Sequence, residues 1–310
     1  MVDESAWDDA AAKLAANLRI QPERASADMR ARIFHWYLPV MFWLLQVRTP
    51  GTCTIVGVSA PQGCGKTTLT QSLVALLGAR GVRAVALSLD DFYLAAADQD
   101  ALAARSADNP LLQSRGNAGT HDVALCVDTL RALKAAAAAA AAAAPGGAEV
   151  AVPRYDKSAR GGRGDRVPRS EWSVAKGGVD VVLLEGWMLG FQPLEEGSAL
   201  LQRSAGLPQV NEALAAYGAI HALVDAWVVV KVRDLACVRR WRKQAEAAMV
   251  RRGAAGMSPA EVDAFVDRFV PAYLAYLPRL YTEGPDGGRG KPLLSVTLDK
   301  ARRPIPDAEN

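Results

Sequence analysis

The sequence predicts an α/β fold, a mainly parallel sheet with helices on both faces and a helical lid. Two observations carry the prediction. Apolar runs rich in valine, leucine and isoleucine alternate along the chain with helical patterns. That is the order of a parallel sheet whose strands are covered on both sides. The first of these runs, TIVGVS, leads straight into a glycine-rich turn that ends in Lys66-Thr67.

In chain order, residues 1–50 read as an N-terminal helical segment packed on the core, and 51–310 as one domain. Residues 33–45 are apolar but include His35 and Pro39 and are too short to span a bilayer, so they are expected to form an aromatic-rich helix pair. The first nine residues are acidic and lack the apolar core of a signal peptide. Strands are expected at 54–59, 84–89, 179–184, 226–232 and 293–298. Leu69, Leu73, Leu76 and Leu77 mark one face of a helix after the first strand. A helix beginning near Asp122 runs into the alanine tract 135–144 and ends at Pro145-Gly146-Gly147. Alanine favours helix but packs little, so 135–147 is expected to be a tolerated surface insertion. Residues 158–169, rich in glycine, proline and arginine, read as a loop. Ser258-Pro259-Ala260-Glu261 is a capping box with proline at the first helical position, opening a helix expected to reach about Tyr276.

Composition narrows the function classes. A chain of 310 residues with a net charge of +3 can bury a sizeable core and calls for neither nucleic acid nor a membrane surface as partner. The four cysteines, Cys53, Cys64, Cys126 and Cys237, have no ligand-like spacing and are expected to be reduced thiols. No feature specifies an oligomer, and a monomer is the expectation.

The turn after the first strand is a phosphate-binding loop. Gly63 and Gly65 let consecutive N–H groups converge on phosphate oxygens, and the following helix points its positive end at the same anion. Lys66 would reach the outer phosphates and Thr67 would hold Mg²⁺. The run Gly63, Cys64, Gly65, Lys66, Thr67 and Thr68 is the expected ATP-binding set. Ala60 stands where the usual motif has its first glycine, so its backbone must be one that an L-residue adopts. Cys64 reads as a small residue that fits the turn; a thiol pKa lowered by the helix N-terminus is the alternative, a redox switch.

Three further clusters carry chemistry. Asp90 and Asp91 follow the second strand at the carboxyl edge of the sheet, where ligands of open α/β folds bind. Either is a candidate base for an attacking hydroxyl, with a cap on the strand's end as the structural alternative. Glu185 closes the third strand, placed to order a Mg²⁺-bound water. Arg239, Arg240, Arg242 and Lys243 lie on the helix after the fourth strand, either a solvated face or a lid around 234–256 whose guanidinium groups neutralise transition-state charge.

The strings SAPQGCGKTTL from Ser59, LDDFYL from Leu89, RGNAGTHD from Arg115, PRYDKSA from Pro153, GRGDR from Gly162, LLEGWMLGF from Leu183 and WRKQAE from Trp241 together resemble the plant and fungal D-glycerate 3-kinases. Their wider relatives are the uridine, pantothenate and phosphoribulose kinases. The resemblance covers nearly the whole chain after about residue 30, outside the alanine tract. It implies that Asp90, two residues before Phe92, is the base, with Lys66, Arg242 and Arg239 completing the catalytic set and Thr67 and Glu185 serving the metal. Tyr93, Arg115, His121, Asp122, Arg154, Tyr155 and Lys157 are the substrate-binding residues implied by the same strings. Arg115, His121, Arg154 and Lys157 are the cations available for a carboxylate, and Tyr155 and Asp156 are candidates for the hydroxyls.

The activity so implied is ATP- and Mg²⁺-dependent phosphorylation of D-glycerate at its C3 hydroxyl. The alternatives are a sibling kinase acting on uridine or pantothenate, and a nucleotide-binding module without turnover. The absence of an Asn-Lys-x-Asp guanine motif argues against a GTPase switch. In a photosynthetic eukaryote the resemblance implies a photorespiratory enzyme of the chloroplast stroma, and elsewhere a cytosolic one.

Overall fold

The computed structural model describes residues 4–20, 25–142, 149–251, 253 and 257–306. It opens with helix α1 (Glu4–Asn17), α2 (Ala27–Arg32), a π turn at Ile33–Tyr37 and α3 (Leu38–Val47). The expected helix pair is therefore one helical rod with a widened turn. Pro39, at the start of α3, has no N–H to give, and the Leu38 N–H reaches five residues back to Ile33, the geometry of a π-bulge.

Strand β1 (Thr54–Ser59) leads into α4 (Lys66–Gly78), then β2 (Ala84–Ser88), a 3₁₀ turn at Leu89–Phe92, α5 (Ala96–Arg105) and α6 (Val123–Ala141). Asp122 caps α6 by accepting from the Leu125 N–H at 3.0 Å. Ala136 and Ala137 are buried in the core, so the early part of the alanine tract is packed rather than a free surface insertion; residues 143–147 of that tract lie outside the described residues. Next come the short strands β3 (Val150–Val152), β4 (Tyr155–Asp156), β5 (Asp165–Arg166) and β6 (Ser173–Ala175), followed by β7 (Val181–Gly186). Residues 158–169, expected as plain loop, are the tip and return of a hairpin in which β4 pairs antiparallel with β5.

The remaining elements are α7 (Leu207–Leu214), α8 (Gly218–His221), β8 (Ala226–Val232), α9 (Ala236–Arg251), α10 (Pro259–Asp267), α11 (Val270–Glu283), β9 (Leu293–Leu298) and β10 (Pro304–Ile305). Ser258 and Glu261 form the expected capping box, with reciprocal bonds of 3.3 and 2.7 Å. The helix it opens stops at Asp267 and restarts at Val270. Pro271 sits in the first turn of α11, where its missing N–H costs no helical bond, and marks the restart.

Six strands form the main sheet in the order β10-β9-β8-β1-β7-β2, parallel except for β10. Successive residues of a strand face opposite sides, and the buried side chains divide accordingly. Ile55, Val182, Leu184, Trp227 and Val229 join α6, α7, α8, α10 and α11 in one core. Val56, Val58, Val181, Leu183, Val228 and Val230 join α1, α3 and α4 in the other. Gly57 is set by its neighbour, because a Cβ there would lie 2.6 Å from the Trp227 ring. All four cysteines are free and buried. Among the described residues no helix is long and apolar enough to cross a membrane.

Candidate active site

Register assembles the site before any side-chain detail does. Glu185 of β7 pairs with Val58 of β1 on one side and Ser88 of β2 on the other. The phosphate loop after β1 and the Asp90 turn after β2 therefore flank Glu185 at the carboxyl ends of three adjacent strands, the ligand edge of an open α/β sheet.

The loop is held from several distant parts of the chain. Gly63 and Gly65 have φ of 78° and 103°, a region L-residues rarely adopt, whereas Ala60 is not among the residues with positive φ. A Cβ on Gly63 would meet Trp241 Cβ at 2.8 Å, so α9 packs directly on the loop. The Gln62 N–H donates to the Tyr273 hydroxyl at 3.0 Å, and Arg302 Nε donates to the Gly63 carbonyl at 2.8 Å. At Gly65, where α4 starts, no side chain caps the helix. Its first-turn amides are left for an anion.

Lys66, Thr67 and Glu185 form the centre. The Thr67 hydroxyl donates to Glu185 Oε1 at 2.8 Å, and Lys66 Nζ lies 3.8 Å from Oε2. Burial works against the Lys66 charge, but Glu185, then Cys64 and Asp90, hold its pKa above the usual value. Burial likewise raises the Glu185 carboxyl, with Lys66 opposing. Glu185 Oε2 is buried with no hydrogen-bond partner. A hydroxyl beside an orphaned carboxylate oxygen is a hard-oxygen donor set that suits Mg²⁺. Among the described residues no group of three or more His, Cys, Asp or Glu could hold a metal. Cys64 is fully buried, and that burial pushes its thiol up to about 11, opposite to the lowering a helix N-terminus alone predicts.

Asp90 and Asp91 part company in the 3₁₀ turn. Asp91 turns back as a cap, accepting from the Ser88 N–H at 3.3 Å and the Tyr155 N–H at 3.4 Å, so the structural alternative applies to it. Asp90 faces the loop. Burial disfavours its charge, but Lys157 and then Lys66 outweigh that and hold the carboxyl well below the usual range. Lys157 Nζ is 2.5 Å from Asp90 Oδ2.

Around Asp90 lies an aromatic wall. Tyr93 stacks on His121 with centroids 4.4 Å apart, and Tyr155 meets Tyr93 edge-on at 5.3 Å. Burial drives the His121 pKa down to about 4 against the pull of Asp90, so the ring is neutral near pH 7. Its Nδ1 is 2.6 Å from the Tyr217 hydroxyl, and its Nε2 is buried without a partner. When Tyr217 donates to Nδ1, the ring proton sits on Nε2 and is free for a ligand oxygen.

The other expected substrate residues are distributed. Arg115 spends its guanidinium on the carbonyls of Lys157, Gly162 and Arg163 and so holds the β4–β5 hairpin. Asp122 caps α6 and pairs with Arg166. Arg166, quoted in a matched string but assigned no role from sequence, also donates to the Tyr93 carbonyl at 2.8 Å. The Arg154 side chain is exposed. On α9, Arg242 pairs with the buried Glu246 and lies 4.9 Å over the Phe265 ring; its charge also acts on Lys66. Arg239 is held by Asp263 and Asp267. Residues 252 and 254–256 of the expected lid lie outside the described residues. Tyr217, Tyr273 and Arg302 carried no local signal, since each acts through contacts with residues far away in sequence.

No family model matches the chain. The chain is 44% identical over 287 residues, 89% of its length, to the chloroplastic D-glycerate 3-kinase of Arabidopsis thaliana, and spans 61% of that protein. It is 38% identical to the uncharacterized kinase mug58 of Schizosaccharomyces pombe, covering 84% of this chain and 93% of that one. Among solved structures, D-glycerate 3-kinase from Cryptococcus neoformans var. grubii superposes with a TM-score of 0.73 at 31% identity, covering 88% of this chain and 96% of that one. At 31% identity over 96% of that fungal D-glycerate 3-kinase and 44% identity to the plant one, the chain belongs to the D-glycerate 3-kinase family of P-loop kinases.

Proposed function

We propose that this chain transfers the γ-phosphoryl group of ATP to the C3 hydroxyl of D-glycerate. The observation that carries the proposal is Asp90, which follows β2 on the far side of β7 from the phosphate loop, is paired with Lys157 at 2.5 Å, and acts electrostatically on Lys66 and His121. The loop amides and Lys66 bind the β- and γ-phosphates and fix the donor. Thr67 and Glu185 would hold a Mg²⁺ ion, which would supply neutralisation of phosphate charge. Asp90 accepts the hydroxyl proton as the oxygen attacks, and Arg242 stabilises charge on the transferring group from α9.

The acceptor site suits a small polar acid. His121 Nε2 donates to a substrate oxygen, Tyr93 and Tyr155 wall the pocket, and Lys157 provides the nearest cation outside the phosphate loop. Arg115 and Asp122 shape the site by holding the hairpin and α6, and Arg154 lies at its open rim. Because the plant relative bears the name chloroplastic, a chain of photosynthetic origin would work in the stroma, and one of other origin in the cytosol.

The test is coupled ADP release with D-glycerate, uridine and pantothenate as acceptors. Turnover with D-glycerate alone supports the proposal. Turnover with another acceptor, or ATP binding without consumption, rejects it.

A further inference from the structure

Lys157 sits where a substrate-responsive switch would be placed. Its backbone is fixed, because Arg115 donates to the Lys157 carbonyl and to two more carbonyls of the same hairpin. Arg160 and Arg163 tie the hairpin tip to Asp100, and the Ala96 N–H donates to Asp165. The side chain, by contrast, is 55% exposed. Among the described residues its ion pair is to Asp90, the group that must accept a proton for the reaction to proceed.

We propose that Lys157 is a lock on Asp90 that the acceptor's own carboxylate releases. This rests on D-glycerate being the acceptor. With no acid bound, the Lys157 ammonium occupies the Asp90 carboxylate, so a water in the acceptor site finds no free base. That matters because water is always present and ATP is bound beside it. When the acid arrives, its carboxylate competes for the ammonium. The carboxylate carbon is only two bonds from C3, so a swing of a flexible side chain on a fixed backbone exchanges one anion for the other. The C3 hydroxyl takes the vacated place against Asp90, and Lys157 stays as the grip on the carboxylate. Arg115 is already committed to three carbonyls of the hairpin, whereas the Lys157 ammonium has the Asp90 carboxylate as its partner.

The suppressed side reaction is ordinary hydrolysis. A water oxygen forms a bond to the γ-phosphorus and the bond from that phosphorus to the β,γ-bridging oxygen breaks. The electron pair departs with ADP, and the water proton passes to Asp90 and then to solvent. One residue thus serves both economy of ATP and selection for an acid.

The experiment measures ATP hydrolysis without acceptor, and phosphorylation of D-glycerate, in the wild type, Lys157→Met and Lys157→Met/Asp90→Asn. Lys157→Met is expected to raise acceptor-free hydrolysis about tenfold or more, part of what a freed general base contributes. The same variant should lower kcat/KM for D-glycerate about ten- to hundredfold, the loss of a charged hydrogen bond. Adding Asp90→Asn should return hydrolysis to the wild-type level or below. A purely structural lysine would lower both activities together, and that result, or unchanged hydrolysis in folded Lys157→Met, overturns the lock. The hydrolysis arm needs no acceptor, so it is independent of which acid is phosphorylated. A wild type inactive on D-glycerate would instead overturn the acceptor assignment.

Discussion

Asp90→Asn separates chemistry from architecture. The substitution keeps size and hydrogen-bonding reach but removes the anion that faces Lys157 and Lys66. General-base help is worth about two to four powers of ten, or about 3–5 kcal/mol of barrier, and kcat should fall by that amount. Lys66 retains Glu185, so KM for ATP should change little. Asp91→Asn is the internal control. Asp91 accepts from Ser88 and Tyr155 through different oxygens, and an amide keeps one of those two acceptors. The loss is about 1 kcal/mol of stability, about 2 °C in Tm for a chain of this size, with kcat within a fewfold of wild type. Steady-state kinetics and thermal melts of both variants provide the assay. A kcat loss confined to Asp91→Asn, with Asp90→Asn active, would refute the assignment of the base and the geometry of the turn together.

Lys66→Ala should abolish turnover and leave the fold intact, because the ammonium serves phosphate rather than core; a folded variant that still consumes ATP would reject the loop as the active centre. Arg242→Ala should lower kcat more than it raises KM for ATP, and Arg242→Lys should recover the stability lost by stranding Glu246 without recovering kcat. His121 makes stability depend on pH. Its pKa falls from 6.5 to about 4 on folding, so between those values the unfolded chain holds a proton the native one lacks. Stability is therefore full above pH 6.5 and declines as pH falls toward 4, by about 2 kcal/mol at pH 5. His121→Gln should flatten that limb in melts taken from pH 7 to 5, and an unchanged slope would mean that the ring takes up its proton over the same pH range in the native as in the unfolded chain.

Strands β1, β8 and β9 were legible to the residue because each is an apolar run bounded by turn chemistry. Strand β7 was expected at 179–184 and lies at Val181–Gly186. Pairing on both sides draws Glu185 and Gly186 into the ladder, which a charge at a strand's end conceals. The break between α10 and α11 was visible in Pro271 but lay inside a strong helical pattern. The phosphate loop and the Ser258 capping box are local devices, so their residues announce them.

The division of labour between Asp90 and Asp91 was not legible. An extended strand end would send the two side chains to opposite faces, but the chain turns into a 3₁₀ helix and Asp91 becomes a cap. The supports of the loop were also hidden. Tyr273 and Arg302 reach it from 211 and 239 residues away, and only the folded chain brings them there. Arg115 was expected among the substrate cations and is committed to the hairpin's carbonyls. A cationic side chain looks the same in sequence whether it grips a ligand or a loop.

The most direct test of the central claim is the product itself. D-glycerate, ATP and Mg²⁺ are incubated with the wild-type chain, and the phosphorylated acid is examined by phosphorus and proton NMR. Phosphate coupled to the two C3 protons, formed in step with ADP and absent with Asp90→Asn, is the predicted result. Phosphate on C2, coupled to the single proton there, would mean that Asp90 faces the other hydroxyl, and ADP formed without any phosphorylated acid would contradict the assignment of D-glycerate as acceptor.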